Sequence, residues 1–91
     1  MYFYNFKFPE RQKNDLYLSG ESYAGIYVPT LAYEIDQFNI KYATDSKVYK
    51  PKLKGFLVGN AVTNWKYDAM PAYLEIGYWR GLYDTTTYDA I

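Results

Sequence analysis

The chain has 91 residues, 49% of them hydrophobic and 22% aromatic, with ten basic residues balancing ten acidic ones for zero formal charge. This is the composition of a globular chain rather than a disordered one, and its charge balance argues against nucleic acid, since phosphate binding needs a basic excess on one face. There is no cysteine and no histidine, which excludes an internal disulfide, a thiolate site and the imidazole that serves as the usual general base and commonest metal ligand.

In chain order, the aromatic segment 1–8 reads as the end of a helix stopped by Pro9, and 10–15 as a charged turn region. Leu16 to Ser19 predicts a short buried strand closed by Gly20. After a turn at Ser22, the residues Ile26, Val28, Leu31, Ala32, Ile35 and Phe38 are spaced to share one buried helix face. Pro29 predicts a short first turn followed by a main helix with the proline near its first position. Segment 39–52 is polar and lysine-bearing, the pattern of a surface loop. Leu53 to Val58 is a second strand, ended by Gly59 and Asn60, and 60–68 is a loop. Pro71 opens a helix running to about Arg80, with Gly81 as its C-cap. Asp84, ahead of three threonines, is the expected N-cap of a further helix that the chain end cuts off.

Strand, sharp turn, helix, loop and strand make a βαβ unit, whose two strands are expected to be parallel and joined by a right-handed crossover. Parallel strands are ordinarily covered on both faces, and one helix covers only one. A chain of this size also buries little more than about 60% of its unfolded surface. Both arguments predict a piece of a larger α/β sheet. No apolar run approaches the roughly 20 residues that span a bilayer, so no membrane partner is expected. No signal peptide is visible, no cofactor is implied, and there is no Asn-x-Ser/Thr sequon. The 13 tyrosines fit either a binding face or, more simply, compositional bias with amphipathic core edges.

The chemistry is concentrated between Gly20 and Gly25. A small residue, any residue, serine, any residue and a small residue, set between a strand and a helix, is the pattern of a nucleophile elbow. Gly20 and Ala24 fill the small positions, because the tight turn crowds the backbone two residues either side of Ser22. Ser22 is the candidate nucleophile. The backbone N–H of Tyr23, at the helix N-terminus, is the candidate oxyanion-hole donor. On pattern alone an ordinary serine turn remains the alternative, as does a solvent-exposed role for Glu21.

Phe8-Pro9, the run Leu16 through Ala32, the second strand and its exit from Leu53 through Thr63, and Tyr78 through Asp84 together resemble the serine carboxypeptidase family, in the family's own order. Relatives often carry His where Arg80 stands and Asp where Asn64 stands. The resemblance implies a fragment of an α/β-hydrolase fold, with about 1–63 a βαβ core piece and about 64–91 the start of a helical cap insertion. It implies that Ser22 is the acylated nucleophile and that Glu21 hydrogen-bonds the free C-terminal carboxylate of a peptide or protein substrate. Two carboxylates approach only with a proton between them, so acidic conditions are favoured. Asn60, at a strand C-terminus bordering the expected crevice, is either a substrate contact or a loop-capping amide.

Tyr23 and Tyr27 either pack as core aromatics, which is the expectation, or line the pocket. Asp36, Asp45, Asp68 and Asp84 are not assigned as the triad acid, which in the family lies well downstream. The family's Gly-rich oxyanion segment precedes this region, and its catalytic Asp and His follow it. The remainder of the hydrolase domain is therefore needed for a complete fold, and the isolated chain is expected to be inactive. An acyltransferase, with an alcohol in place of water, and a non-catalytic truncated piece stay open. The resemblance implies a vacuolar, lysosomal or secreted protein.

Overall fold

In the computed structural model, which describes residues 2–91, the chain divides into two units, Met1–Ala61 and Val62–Ile91. Met1, part of the expected N-terminal helix end, lies outside the described residues.

The first unit begins with a single wide helical turn, Phe3–Lys7, and a tighter one, Pro9–Arg11. Pro9 stops the first turn as expected, with Phe8 leaving helical geometry ahead of it (φ −136°). Strand β1 is Asp15–Glu21 and strand β2 is Lys52–Gly59. They pair in parallel from Asp15↔Lys52 to Glu21↔Gly59, with one irregularity after Leu16 that skips Lys54. Between them runs α1, Ala24–Lys41.

Along β1 the half-buried Leu16, Leu18 and Gly20 alternate with exposed Asp15, Tyr17, Ser19 and Glu21. The strand read as buried is thus covered on one face only, because α1 is the single layer packed on this sheet. Tyr17 and Leu57 remain about 60% exposed (60% and 61%). Gly20 does not close the strand; the ladder carries on through Glu21 because β2 supplies a partner as far as Gly59.

The buried face of α1 is Ala24, Gly25, Val28, Ala32 and Ile35, a stripe at helical spacing. Small residues bring the helix axis close to the strands, while Val28 and Ile35 contribute about 1.5–3 kcal/mol each by leaving water. Leu31, expected on this face, is 49% exposed because it lies off the stripe. Pro29 does not split the helix. It sits inside one continuous α1, and the Thr30 hydroxyl donates to the Ile26 carbonyl at 2.8 Å one residue beyond it. Proline removes one backbone donor near the N-terminus, and packing of the whole stripe outweighs that single loss. The loop between α1 and β2 is consequently shorter than expected, and Asn39 Nδ2, still within the helix, donates to the Pro51 carbonyl at 2.8 Å.

In the second unit, the segment expected as loop contains a wide helical turn, Trp65–Ala69. Asn64 caps it, its Oδ1 accepting from the Lys66 N–H at 2.9 Å. Helix α2 is Met70–Trp79 with Pro71 in its first turn, and α3 is Thr85–Ala90. Gly81, at φ +69°, ends α2 as expected: its N–H bonds the Tyr78 carbonyl at 2.9 Å and the Leu82 N–H bonds the Gly77 carbonyl at 3.0 Å. That double closure requires a left-handed residue, which glycine supplies without steric cost. Asp84 then caps α3, its Oδ1 accepting from the Thr87 N–H at 2.8 Å.

Two aromatic contacts join α2 to the C-terminal segment. Tyr83 lies against Gly77 so closely that a Cβ there would stand 2.5 Å from the ring, and its hydroxyl donates to the Leu74 carbonyl. Tyr78 stacks on Tyr88 with centroids 4.6 Å apart. Among the described residues, no helix is long and apolar enough to cross a membrane.

Candidate active site

Ser22 sits between the last residue of β1 and the start of α1, and its φ is +59°. For a residue with a side chain this left-handed conformation costs about 1 kcal/mol or more. Bonds on both sides hold it there. The Ser22 N–H donates to the Gly59 carbonyl of β2 at 3.1 Å, which extends the parallel ladder one step past Glu21. The Ser22 carbonyl accepts from the Gly25 N–H at 3.1 Å, and the Tyr23 carbonyl accepts from the Ile26 N–H at 3.0 Å. Strand ladder and helix start meet on one residue, and the serine takes up the change of direction between them.

The small neighbours follow from the same geometry. A Cβ on Gly20 would stand 2.4 Å from the Ala24 Cβ and 3.1 Å from a Val28 methyl. A contact below 3 Å between two carbons requires backbone movement, so Gly20 allows α1 to fold back over β1. Ala24 is fully buried in this contact, and a larger side chain there would meet the strand.

Glu21, Ser22 and Tyr23 are all exposed at the C-terminal end of β1. Asn60 comes in from β2: it follows Gly59, whose carbonyl holds Ser22, and its own φ is +43°. Four residues singled out in the sequence therefore share the edge where both parallel strands end, the edge at which open α/β sheets bind ligands. The positive φ also gives Asn60 a backbone reason to be asparagine, one of the few residues with a side chain that tolerate it. The Gly59 carbonyl is the one member of this cluster that sequence reasoning did not identify, since only strand pairing brings it to Ser22.

Tyr23 and Tyr27, expected in the core, are 50% and 54% exposed. The ring centroids lie 6.1 Å apart. They stand four residues apart on the flank of α1 away from its buried stripe, so the periodicity that buries Ala24 and Val28 turns them outward.

Three of the four acids passed over as triad members, Asp45, Asp68 and Asp84, accept local hydrogen bonds. Asp68 Oδ2 accepts from the Thr63 hydroxyl at 2.6 Å and from the N–H groups of Thr63 and Asn64 at 2.8 Å each. These bonds, the Thr63 hydroxyl foremost, hold its carboxyl below the ordinary value. The Asp84 carboxyl is lowered by the N–H and hydroxyl of Thr87. Asp45 accepts from the Lys47 N–H at 2.9 Å. Among the described residues, no group of His, Cys, Asp and Glu is placed to hold a metal ion.

Comparison with known proteins bears directly on this edge. A serine carboxypeptidase family model matches residues 1–91. Serine carboxypeptidase 24 of Arabidopsis thaliana is 45% identical over 75 residues, covering 80% of this chain and 14% of that protein. Serine carboxypeptidase-like 20 of the same plant is 41% identical over 86 residues, 92% of this chain and 16% of the relative. The probable serine carboxypeptidase CPVL of Rattus norvegicus is 40% identical over 82 residues, 90% of this chain and 15% of the relative. The chain thus spans about a seventh of the length of the relatives it matches (14%, 16% and 15%). With the match running through the strand, the serine turn, the helix and the second strand, the chain belongs to the serine carboxypeptidase family.

Proposed function

We propose that this chain is the nucleophile-bearing segment of an α/β-hydrolase that removes C-terminal residues from peptides through an acyl-enzyme. The observation that carries this reading is the left-handed Ser22 (φ +59°) at a strand-to-helix junction, flanked by Gly20 and Ala24 in van der Waals contact. A nucleophile elbow needs all of these together, and an ordinary serine turn needs none of them.

In the proposed reaction Ser22 Oγ attacks the scissile carbonyl. Its proton passes to a histidine outside these 91 residues, since none of them is histidine. The Tyr23 N–H donates to the developing oxyanion, the amine leaves with the proton, and water releases the acyl group. Glu21, adjacent to the nucleophile, accepts the substrate's C-terminal carboxylate through a shared proton. Asn60 borders the same edge from β2. Residues of about 1–63 supply the βαβ core of the catalytic domain and about 64–91 begin its cap. A vacuolar, lysosomal or secreted setting accords with chemistry that needs a proton between two carboxylates.

The test is labelling by an active-site-directed fluorophosphonate in the complete catalytic domain. Ser22 is expected to carry the label, and Ser22→Ala to abolish it and to lower peptidase turnover by about 10⁴-fold or more. Labelling that persists in Ser22→Ala would overturn the assignment.

A further inference from the structure

Of the ten basic residues in the chain, Lys13, Lys47, Lys50 and Lys52 line one open cavity of about 570 Å³. It lies where β1 and β2 begin, so about 20 Å of strand separates it from the Ser22 edge. No carboxylate lines it. Two acids border the region: Asp15 is the register partner of Lys52, and the Asp45 carboxylate is engaged by the Lys47 N–H at 2.9 Å. Neither forms an ion pair with these lysines; among the described residues the one ion pair is Arg11–Glu10. The chain has zero net charge, so this is a local concentration of cations and not a general basic surface.

Backbone carbonyls place two of the four ammonium groups. Lys50 Nζ donates to the carbonyls of Asp45 at 2.6 Å and Val48 at 3.0 Å, and Lys52 Nζ donates to the Lys13 carbonyl at 3.2 Å. A carbonyl orients an ammonium while leaving its unit charge uncompensated. Each ammonium has three donors, so Lys50 keeps one for a ligand and Lys52 two. The lining also carries neutral hydrogen-bonding groups. Gln12 uses its amide hydrogens on the Tyr4 carbonyl at 3.1 Å and Asn5 Oδ1 at 3.3 Å, which leaves Oε1 as an acceptor. The Tyr49 side chain also lines the cavity and brings a phenol hydroxyl, a donor and acceptor in its neutral form.

We propose that this cavity binds the phosphate or sulfate ester of a small polyol. The four lysines hold the anionic group, and Gln12 and Tyr49 meet the hydroxyls. The volume is in the range of small-molecule sites, and oxyanions gain charge-assisted bonds from each unpaired ammonium. The proposal does not depend on the role of Ser22.

Isothermal titration calorimetry of the complete catalytic domain with glucose 6-phosphate, inorganic phosphate and glucose tests it. Glucose 6-phosphate is expected to bind severalfold more tightly than inorganic phosphate, glucose to give no heat, and added salt to weaken binding. The double variant Lys13→Gln/Lys47→Gln spares Lys50 and Lys52, whose ammonium groups hold carbonyls. It is expected to keep the circular dichroism spectrum and to weaken glucose 6-phosphate by about tenfold. Co-sedimentation with vesicles containing phosphatidylinositol phosphate then assigns the source: retention places the ester on a lipid headgroup, and its absence on a free sugar phosphate. No saturable heat with glucose 6-phosphate at millimolar concentration overturns the proposal, as does unchanged affinity in the double variant.

Discussion

Two residues of the serine edge hold left-handed backbones, Ser22 at φ +59° and Asn60 at φ +43°, and substitutions separate what each does for folding from what it does for substrate. Asn60→Ala places an ordinary side chain in this conformation and is expected to cost about 1 kcal/mol, read from the urea midpoint. Asn60→Gly is expected to be neutral or slightly stabilising. If Asn60→Gly keeps activity, the asparagine serves the turn; a stable Asn60→Gly with a raised KM makes it a substrate contact. Gly20→Val attacks the elbow from below. Its Cβ would begin 2.4 Å from that of Ala24, and the added branches worsen the clash, so a loss of about 1–3 kcal/mol is expected in the same measurement. Shrinking the opposite side to glycine would remove the Ala24 Cβ but leave a Val28 methyl 3.1 Å from the new Cβ, so Ala24→Gly is expected to give only partial relief.

At the scale of elements, the second unit depends on its ends. Gly81→Ala forces an alanine to φ +69° and is expected to destabilise the α2 terminus by about 1 kcal/mol, visible as lost helicity at 222 nm. Two carboxylates that hold helix starts, Asp68 by bonding Thr63 and the N–H of the cap residue Asn64 and Asp84 as the cap of α3, lie below their ordinary value of 3.8 because they accept hydrogen bonds when folded. The unfolded chain therefore takes up protons first as pH falls. The contribution of the caps is present above about pH 4 and is lost as pH drops through the lowered folded values. Helicity of this unit is expected to decline in that acid range, and Asp84→Asn, which keeps an acceptor without a titrating group, to remove part of the decline. A decline of the same size in Asp84→Asn would show that the cap is not its origin. Asn64 caps Trp65–Ala69 through its side-chain carbonyl oxygen, an acceptor that Asn64→Asp would retain.

For the whole molecule, the thin core is the governing fact. Apart from Ala69 and Pro51, the buried apolar side chains among the described residues are Ala24, Val28, Ala32 and Ile35 on one helix face, and no large side chain among them is fully buried. One sheet face, with Tyr17 and Leu57, stays exposed, and with no histidine among the 91 residues the proposed nucleophile has no imidazole base within them. The chain alone is accordingly expected to give no fluorophosphonate label, whereas the complete domain labels at Ser22. In that domain the proposed proton-bridged contact between Glu21 and the substrate carboxylate predicts a KM for peptides that rises with pH. Glu21→Gln, or a substrate lacking a free carboxylate, is expected to flatten the KM profile while leaving the pH dependence of the acylation step.

The order of the main elements, the strand-to-helix turn at Ser22, the caps at Gly81 and Asp84 and the parallel pairing of the two strands were all legible in the sequence. Each rests on interactions within a few residues, or on the strand, helix and strand order that calls for a parallel crossover. Three features rested on tertiary structure. Pro29 lies inside α1 because a buried stripe that runs the length of the helix outweighs one missing donor. Tyr23 and Tyr27 face outward because the stripe was set by Ala24 and Val28. Ser22 is locked to the Gly59 carbonyl because the register of that pairing joins residues far apart in sequence, a distance that local patterns do not reach. At Ser22 itself both levels meet: its neighbours in sequence predict the elbow, and the second strand holds it in place.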